Sequence, residues 1–200
     1  MIIVVNYDAG NLYSVSRALK FLGIPHSVTS DRKKIEQADG LILPGVGSAS
    51  RAMSSLDRKG LLSVLKSYER PFLGICLGLQ LLFERSQEHR TQCLGLVEGE
   101  VCKFDKKVLK VPHMGWNQLH FQASKPDPIL SGVDEGSFFY FVHSYYAPLS
   151  ENITTGYTDY ESTRFSSLIR HDNFWGVQFH PELSGETGLL VLKNFITQCL

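Results

Sequence analysis

The feature that most constrains the fold is the run Phe72-Leu73-Gly74-Ile75-Cys76-Leu77-Gly78-Leu79-Gln80. It reads as a buried strand entering a sharp turn, with a cysteine at the corner and a helix behind it. Glycine stands two residues to either side of Cys76, the G-x-nucleophile-x-G pattern of a nucleophile elbow. A side chain on a tight strand-to-helix turn sits on strained backbone, so small neighbours must let strand, helix and substrate approach. The N-terminal N–H groups of the following helix would face the sulfur and favour thiolate over thiol. A buried structural cysteine closing a parallel strand satisfies the same residues, so the rest of the chain decides between the two.

The first part of the chain alternates strand and helix. Residues 2–7 form a continuous apolar run, the mark of a strand covered on both faces. After the turn Asp8-Ala9-Gly10-Asn11, apolar residues at Leu12, Val15, Leu19 and Leu22 keep a helical period, stopped by Gly23 and Pro25. Residues 26–29 suit a second strand, and Ser30-Asp31 caps a short helix through Gln37. A third buried strand, 40–44, breaks into Gly45-Val46-Gly47-Ser48, whose glycines let backbone N–H groups turn toward a ligand. A helix over 61–68 precedes the strand that delivers Cys76. This alternation predicts an α/β fold, a doubly wound and mostly parallel central sheet with flanking helices, with ligands at the C-terminal strand ends.

The remainder has a different texture. Residues 87–93 read as a polar loop, and 97–104 and 108–111 as short strands. Pro112-His113-Met114-Gly115-Trp116-Asn117 is too irregular for an element. Residues 137–146 form a dense aromatic strand, 155–160 another, and 165–170 and 174–180 a hairpin around His171-Asp172-Asn173. A helix over 189–196 packs back on the sheet. With no repeat or linker, residues 1–200 are expected to form a single domain.

Composition narrows the class. Twenty Lys and Arg balance 20 Asp and Glu, so no electrostatic footprint for nucleic acid or an anionic membrane stands out. The N-terminus lacks the pattern of a signal peptide, and no stretch approaches the about 18 apolar residues of a membrane span. Cysteines 76, 93, 102 and 199 fall into no paired or metal-type spacing and read as reduced thiols of a cytoplasmic protein. Neither a phosphate-binding P-loop nor a metal-ligand cluster is present, so no metal and no cofactor are expected.

A second group of residues points to the same sheet edge. The segment Val177-Gln178-Phe179 alternates and stops at His180-Pro181-Glu182, where proline bars further pairing and displays His180 and Glu182 at a strand end. A carboxylate can hold one imidazole nitrogen while the other faces a thiol. The set Pro44-Gly45-Val46-Gly47, Gly74-Ile75-Cys76-Leu77-Gly78-Leu79-Gln80 and Phe179-His180-Pro181-Glu182 resembles the class I (triad type) glutamine amidotransferases. With Pro112-His113-Met114-Gly115-Trp116-Asn117 and Tyr140-Phe141-Val142-His143-Ser144-Tyr145, it is similar to one branch, the glutaminase subunits of imidazole glycerol phosphate synthases. The resemblance covers nearly the whole chain.

The resemblance implies hydrolysis of L-glutamine to glutamate and ammonia through a cysteinyl thioester. Cys76 would be nucleophile, His180 the proton carrier and Glu182 its orienting carboxylate. Oxyanion donors would come from Leu77 and the Gly45, Val46 and Gly47 loop. Gly47, Gln80, Glu88, Ser144 and Tyr145 would hold the amino-acid end of glutamine. Free ammonia is protonated and lost in water, so a glutaminase without an acceptor site should dock on a synthase. The implied partner is a (β/α)8-barrel cyclase subunit in a heterodimer that serves histidine biosynthesis, with Asn11, Trp116 and Tyr140 facing it.

One departure stands out: the family usually carries lysine directly after His-Pro-Glu, and this chain has Leu183. That opens an alternative, a paralogous subunit that feeds a cyclase-like partner in amino-sugar and surface-polysaccharide synthesis. The pyridoxal-phosphate synthase glutaminase shares the triad, but the Pro-His-Met-Gly-Trp-Asn run is not expected there. A γ-glutamyl hydrolase would need no partner, and a non-catalytic binding module has no use for an intact Cys-His-Glu set.

Overall fold

The computed structural model describes residues 1–107 and 110–200. The chain begins with β1 (Ile2–Val5), α1 (Leu12–Phe21), β2 (His26–Thr29), α2 (Arg32–Glu36), β3 (Gly40–Gly45), α3 (Ala49–Arg58), α4 (Leu62–Lys66), β4 (Phe72–Cys76) and α5 (Leu77–Leu82). It continues with β5 (Phe83–Ser86), β6 (Thr91–Gln92), β7 (Val97–Lys103), β8 (His113–Gln118), β9 (His120–Phe121), β10 (Phe138–His143) and β11 (Tyr145–Tyr146). Strands β12 (Thr154–Tyr160), β13 (Thr163–His171) and β14 (Phe174–Val177) then lead into α6 (Gly185–Thr197).

The central sheet has eight strands in the order β2-β1-β3-β4-β14-β13-β12-β9. Pairing is parallel from β2 through β14 and antiparallel beyond it. The apolar run of β1 follows from burial on both faces. Ile2 and Val4 join Val15 and Leu19 of α1 and Val191 and Phe195 of α6 in one core. Ile3 and Val5 join Ile35 of α2, Leu56 of α3, Leu65 of α4 and Leu79 of α5 in the other. The sheet is therefore wound on both sides, as the strand–helix alternation predicts.

Strands β3, β4 and β14 are neighbours, and each carries a site motif at its C-terminal end. Gly45 pairs with Cys76, and Val177 with Ile75. Off the main sheet, β10 and β8 form an antiparallel ribbon, and β11-β7-β5-β6 a small second sheet.

Several elements differ from the sequence expectation. Helix α3 carries only small or isolated apolar residues on its inner face, with Ala49, Ala52, Ser55 and Leu56 buried. Ser55 bonds its hydroxyl to the Tyr7 carbonyl, which replaces the apolar stripe that the sequence lacks. The stretch 87–93 holds a 3-10 turn, Glu88–Arg90, and strand β6 rather than a plain loop. Pro112–Asn117 is mostly strand β8, in which His113 is buried, Gly115 and Asn117 half-buried, and Met114 and Trp116 exposed; no inward residue is apolar, which hides the pattern. The aromatic strand breaks at Ser144 into β10 and β11, and the second hairpin strand ends at Val177, short of His180. Gln178 does not alternate outward, because residues 177–180 are all buried. The strand expected over 108–111 lies partly outside the described residues.

The elbow rests on a close backbone approach. A Cβ on Gly78 would lie 1.8 Å from the Leu43 carbonyl oxygen, and one on Gly74 2.6 Å from the Gly78 carbonyl. Neither backbone atom can yield without moving β3 or α5. Gly78→Ala is therefore expected to lower stability by at least about 3 kcal/mol in urea unfolding. Gly60→Ala, at φ +63° with nothing within 4 Å of its Cβ, should cost only about 1 kcal/mol. Equal midpoints for the two variants would contradict the close-approach account.

Candidate active site

Strand β4 ends on Cys76 with φ 54° and ψ −107°, a positive φ that a residue with a Cβ keeps only where its surroundings impose it. Helix α5 behind it runs just six residues and is buried throughout, so the axial field at the sulfur comes from a short dipole. The sulfur lies 3.8 Å from the Val142 carbonyl of β10. Gln178 donates its amide Nε2 to the same sulfur at 3.6 Å.

His180 follows β14 and is fixed through its backbone, whose N–H donates to the Tyr140 carbonyl at 2.9 Å. Its Nδ1 lies 2.8 Å from Glu182 Oε1, with the two side chains only 2% and 0% exposed. Asn11 donates its amide to the same Glu182 oxygen at 3.2 Å. The other ring nitrogen of His180, Nε2, is buried and makes no hydrogen bond. Burial opposes a charge on His180, but the charge and contact of Cys76 and then the Glu182 carboxylate outweigh it, raising the pKa to about 10. The site thus offers a Cys76 thiolate an imidazolium, oriented by a carboxylate.

Beside Cys76 lies a cavity of about 380 Å³ lined by Val46, Gly47, Leu77, Gln80, Glu88, Ser144 and Tyr145, among others. The structure therefore brings the expected loop, helix and pocket residues together around one sulfur. Gly45 lies just behind it: a Cβ there would meet Leu77, Gly78 and the Tyr7 hydroxyl at 2.7 to 2.9 Å. Gly47 has φ +95°, and a Cβ there would have nothing within 4 Å. Gln80 is buried and donates to the Tyr145 carbonyl at 3.0 Å and to Gln178 Oε1 at 3.1 Å. Glu88 accepts from the Ala49 N–H at 2.5 Å, so one of its oxygens caps α3 at the rim of the pocket.

The residues expected on a partner face are divided. Trp116 and Tyr140 sit on the β8–β10 ribbon with rings edge to face at 6.1 Å, and neither lines the cavity beside Cys76. Asn11, in contrast, directs its amide to Glu182. Two residues of the site escape the sequence reading. Gln178 gives one signal, as a polar residue inside the apolar run from Phe174 to Phe179. Tyr7 gives none: its hydroxyl donates to the Pro44 carbonyl at 2.7 Å and so anchors the strand end that feeds the Gly45–Gly47 turn. Burial raises the Tyr7 pKa and keeps it a donor. Among the described residues, no group of three or more His, Cys, Asp or Glu side chains could hold a metal ion.

Fold and site together define a class, and the comparisons agree on it. The family model described as "Glutamine amidotransferase class-I" matches residues 3–199, and the chain belongs to that family. Within it, the chain is 47% identical over 199 residues to the imidazole glycerol phosphate synthase subunit HisH of Bacillus cereus (strain G9842), covering 98% of this chain and 93% of that one. It is 46% identical over 200 residues to the protein of the same name from Listeria monocytogenes serotype 4a, covering 98% and 94%. A solved structure described as glutamine amidotransferase superposes with TM-score 0.76 at 19% identity, over 100% of this chain and 99% of that one. A glutamine amidotransferase from Thermotoga maritima gives 0.60 at 16% identity, over 98% and 80%. At those identities the solved structures speak for the fold alone.

The raised His180 pKa sets a pH dependence. A pKa near 10, above the ordinary 6.5, keeps the imidazolium through neutral pH and loses it as pH rises through about 10. The basic limb of kcat/KM for glutamine should therefore fall near pH 10. Glu182→Gln keeps an acceptor for Nδ1 but removes the carboxylate charge that raises the pKa, so it should move that limb downward. A limb at the ordinary histidine value in both proteins would contradict the ion-pair geometry.

Proposed function

We propose that the chain is the glutaminase subunit of an imidazole glycerol phosphate synthase, releasing ammonia from L-glutamine for a (β/α)8-barrel cyclase in histidine biosynthesis. The observation that carries the reading is Cys76 on its strained elbow, between the buried His180–Glu182 pair and a cavity of about 380 Å³. The choice of branch rests on relatives of that name at 46% to 47% identity over 98% of the chain. Those relatives do not favour the alternative that Leu183 raised.

The residues can carry the reaction in balanced steps. The Cys76 thiolate adds to the side-chain carbonyl of glutamine, forming the C–S bond. Backbone N–H groups of Leu77 and the Gly45–Gly47 loop take the oxyanion. As the intermediate collapses, the C–N bond breaks, and the His180 imidazolium gives its proton to the departing amine, which leaves as ammonia. The now neutral His180 takes a proton from water, whose oxygen attacks the thioester. The C–S bond breaks, glutamate leaves, and thiolate and imidazolium are restored. Glu182 holds His180 so that Nε2 serves both transfers. Gln178, donating to the sulfur, supports the thiolate in each resting state.

The outer face of the β8–β10 ribbon suits a protein partner. Register places Tyr140 opposite Trp116 and Val142 opposite Met114, and Met114, Trp116 and Phe138 are 61%, 56% and 55% exposed. An apolar stripe of this kind beside a catalytic centre supports docking of the ammonia acceptor. Leu183, 41% exposed next to the triad, extends the apolar edge where the family usually has a lysine. The chemistry needs no nucleic acid or membrane. Among the described residues, no helix is long and apolar enough to cross one. The cytoplasm is the compartment we propose.

Glutaminase assays with and without the cyclase subunit test this reading. Cys76→Ala should remove at least about a thousandfold of the activity while leaving the urea midpoint unchanged; activity that survives sinks the nucleophile assignment. Adding the cyclase should raise the wild-type rate. Trp116→Ala should weaken the complex by about tenfold in a calorimetric titration, and an unaltered Kd would remove the ribbon from the interface.

A further inference from the structure

The inner face of the same ribbon carries two buried histidines that the chemistry above does not use. His113 and His143, 4% and 6% exposed, lie opposite each other across β8 and β10. Their rings are packed among Phe104, Phe141, Tyr160 and Phe165. His113 Nδ1 is 2.9 Å from His143 Nε2. His143 Nδ1 is 2.8 Å from the Tyr145 carbonyl, and His113 Nε2 is 3.2 Å from the Asn117 amide Nδ2.

Both ends of this chain are pinned independently, so its direction is determined. The Tyr145 carbonyl can only accept, which puts a proton on His143 Nδ1. At the other end, Asn117 Nδ2 donates to the Asp159 carbonyl at 3.0 Å, while Asn117 Oδ1 accepts from the Gln118 N–H at 2.8 Å. That orientation makes Nδ2 a donor toward His113 Nε2 as well. Burial lowers the His113 pKa to about 4; burial, the charges of His113 and His180, and despite the bond to Tyr145, lower that of His143 to about 3. Each ring therefore carries one proton at neutral pH. Only one arrangement satisfies every atom: Asn117 donates to His113, His113 to His143, and His143 to Tyr145.

The chain ends on the pocket. The Tyr145 carbonyl also accepts from Gln80 Nε2 at 3.0 Å, so both its lone pairs are taken. Gln80 donates in turn to Gln178, and Gln178 to the Cys76 sulfur. Tyr145 O is thus where a path from the ribbon meets a path from the nucleophile. We propose that His113 and His143, the second of which itself borders the cavity, are positioning residues for glutamine, a one-way hydrogen-bond chain that fixes the Ser144–Tyr145 wall of the pocket. The inference rests on the glutaminase reading and concerns substrate binding, not the bond-making steps.

Alkylation of Cys76 in the full chain, followed on the peptide that contains it, separates the two. Acivicin, an electrophile with the amino-acid end of glutamine, needs the pocket wall; iodoacetamide does not. In the wild type, acivicin labelling should saturate. His113→Leu should raise its half-saturating concentration by about tenfold, the scale of losing a buried hydrogen-bonded link. Its limiting rate and the iodoacetamide rate should stay within about twofold, on the same scale. His113→Asn keeps a donor at the Nδ1 position and should restore most of the loss.

A wild-type saturation constant in folded His113→Leu would overturn the inference, and so would equal losses with both reagents. If that variant does not fold, Asn117→Leu at the outer end should give the same pattern with a rise of about threefold, a partial loss of such a link; no rise overturns the proposal. Wild type that reacts with iodoacetamide but never saturably with acivicin would sink the glutaminase reading itself, and this inference with it.

Discussion

The site depends on one strained residue held by its neighbours. Cys76 keeps φ 54° because β4 is locked between β3 and β14 and because Gly74 and Gly78 let α5 pass within contact of both strands. A side chain at either glycine would push α5 off Leu43 and let the corner relax. The strain has a use: it lifts the sulfur out of the sheet edge to a point that the Gly45–Gly47 turn, Gln178 and His180 can all reach. Tyr7 anchors the strand end that feeds the turn, and Glu182, itself held by Asn11, fixes His180, each through a side-chain hydrogen bond. The chemistry is thus a property of the sheet edge rather than of any one loop.

What the sequence discloses follows from how each element is stabilised. The parallel half is legible because its strands are apolar on both faces and its helices keep a clear period, as in Ile2 to Val5 and in Leu12, Val15 and Leu19. The elbow, the glycine turn and His-Pro-Glu are legible because their chemistry needs special residues at fixed spacing. Helix α3 is hidden because it packs through alanines and a serine hydroxyl rather than a large apolar stripe. Strand β8 is hidden because its inward positions are His113, Gly115 and Asn117, with no apolar side chain among them, and the burial of His113 is made possible by hydrogen bonds invisible in the chain order. Gln178 is half legible, since a polar residue inside an apolar run marks a buried partner without naming it.

The β8–β10 ribbon joins the two halves of the account. Its outer face exposes Met114, Trp116 and Phe138, the side proposed above for docking. Its backbone holds His180 through Tyr140 and approaches Cys76 through Val142, and its inner face leads through the two histidines to Tyr145. The face proposed for docking and the face whose hydrogen bonds lead to the pocket are therefore the two sides of one pair of strands. Sheet alternation makes that arrangement available at no cost in sequence, because successive side chains point to opposite faces.

The central claim is that glutamine is cleaved through an acyl bond to Cys76. Hydroxylamine competes with water for a thioester but not for a directly hydrolysed amide. Turnover of glutamine by the partner-loaded protein in hydroxylamine should yield γ-glutamyl hydroxamate at the expense of glutamate, with ammonia release unchanged or faster. Glutamate as the sole product at every hydroxylamine concentration, at an undiminished rate, would contradict the account.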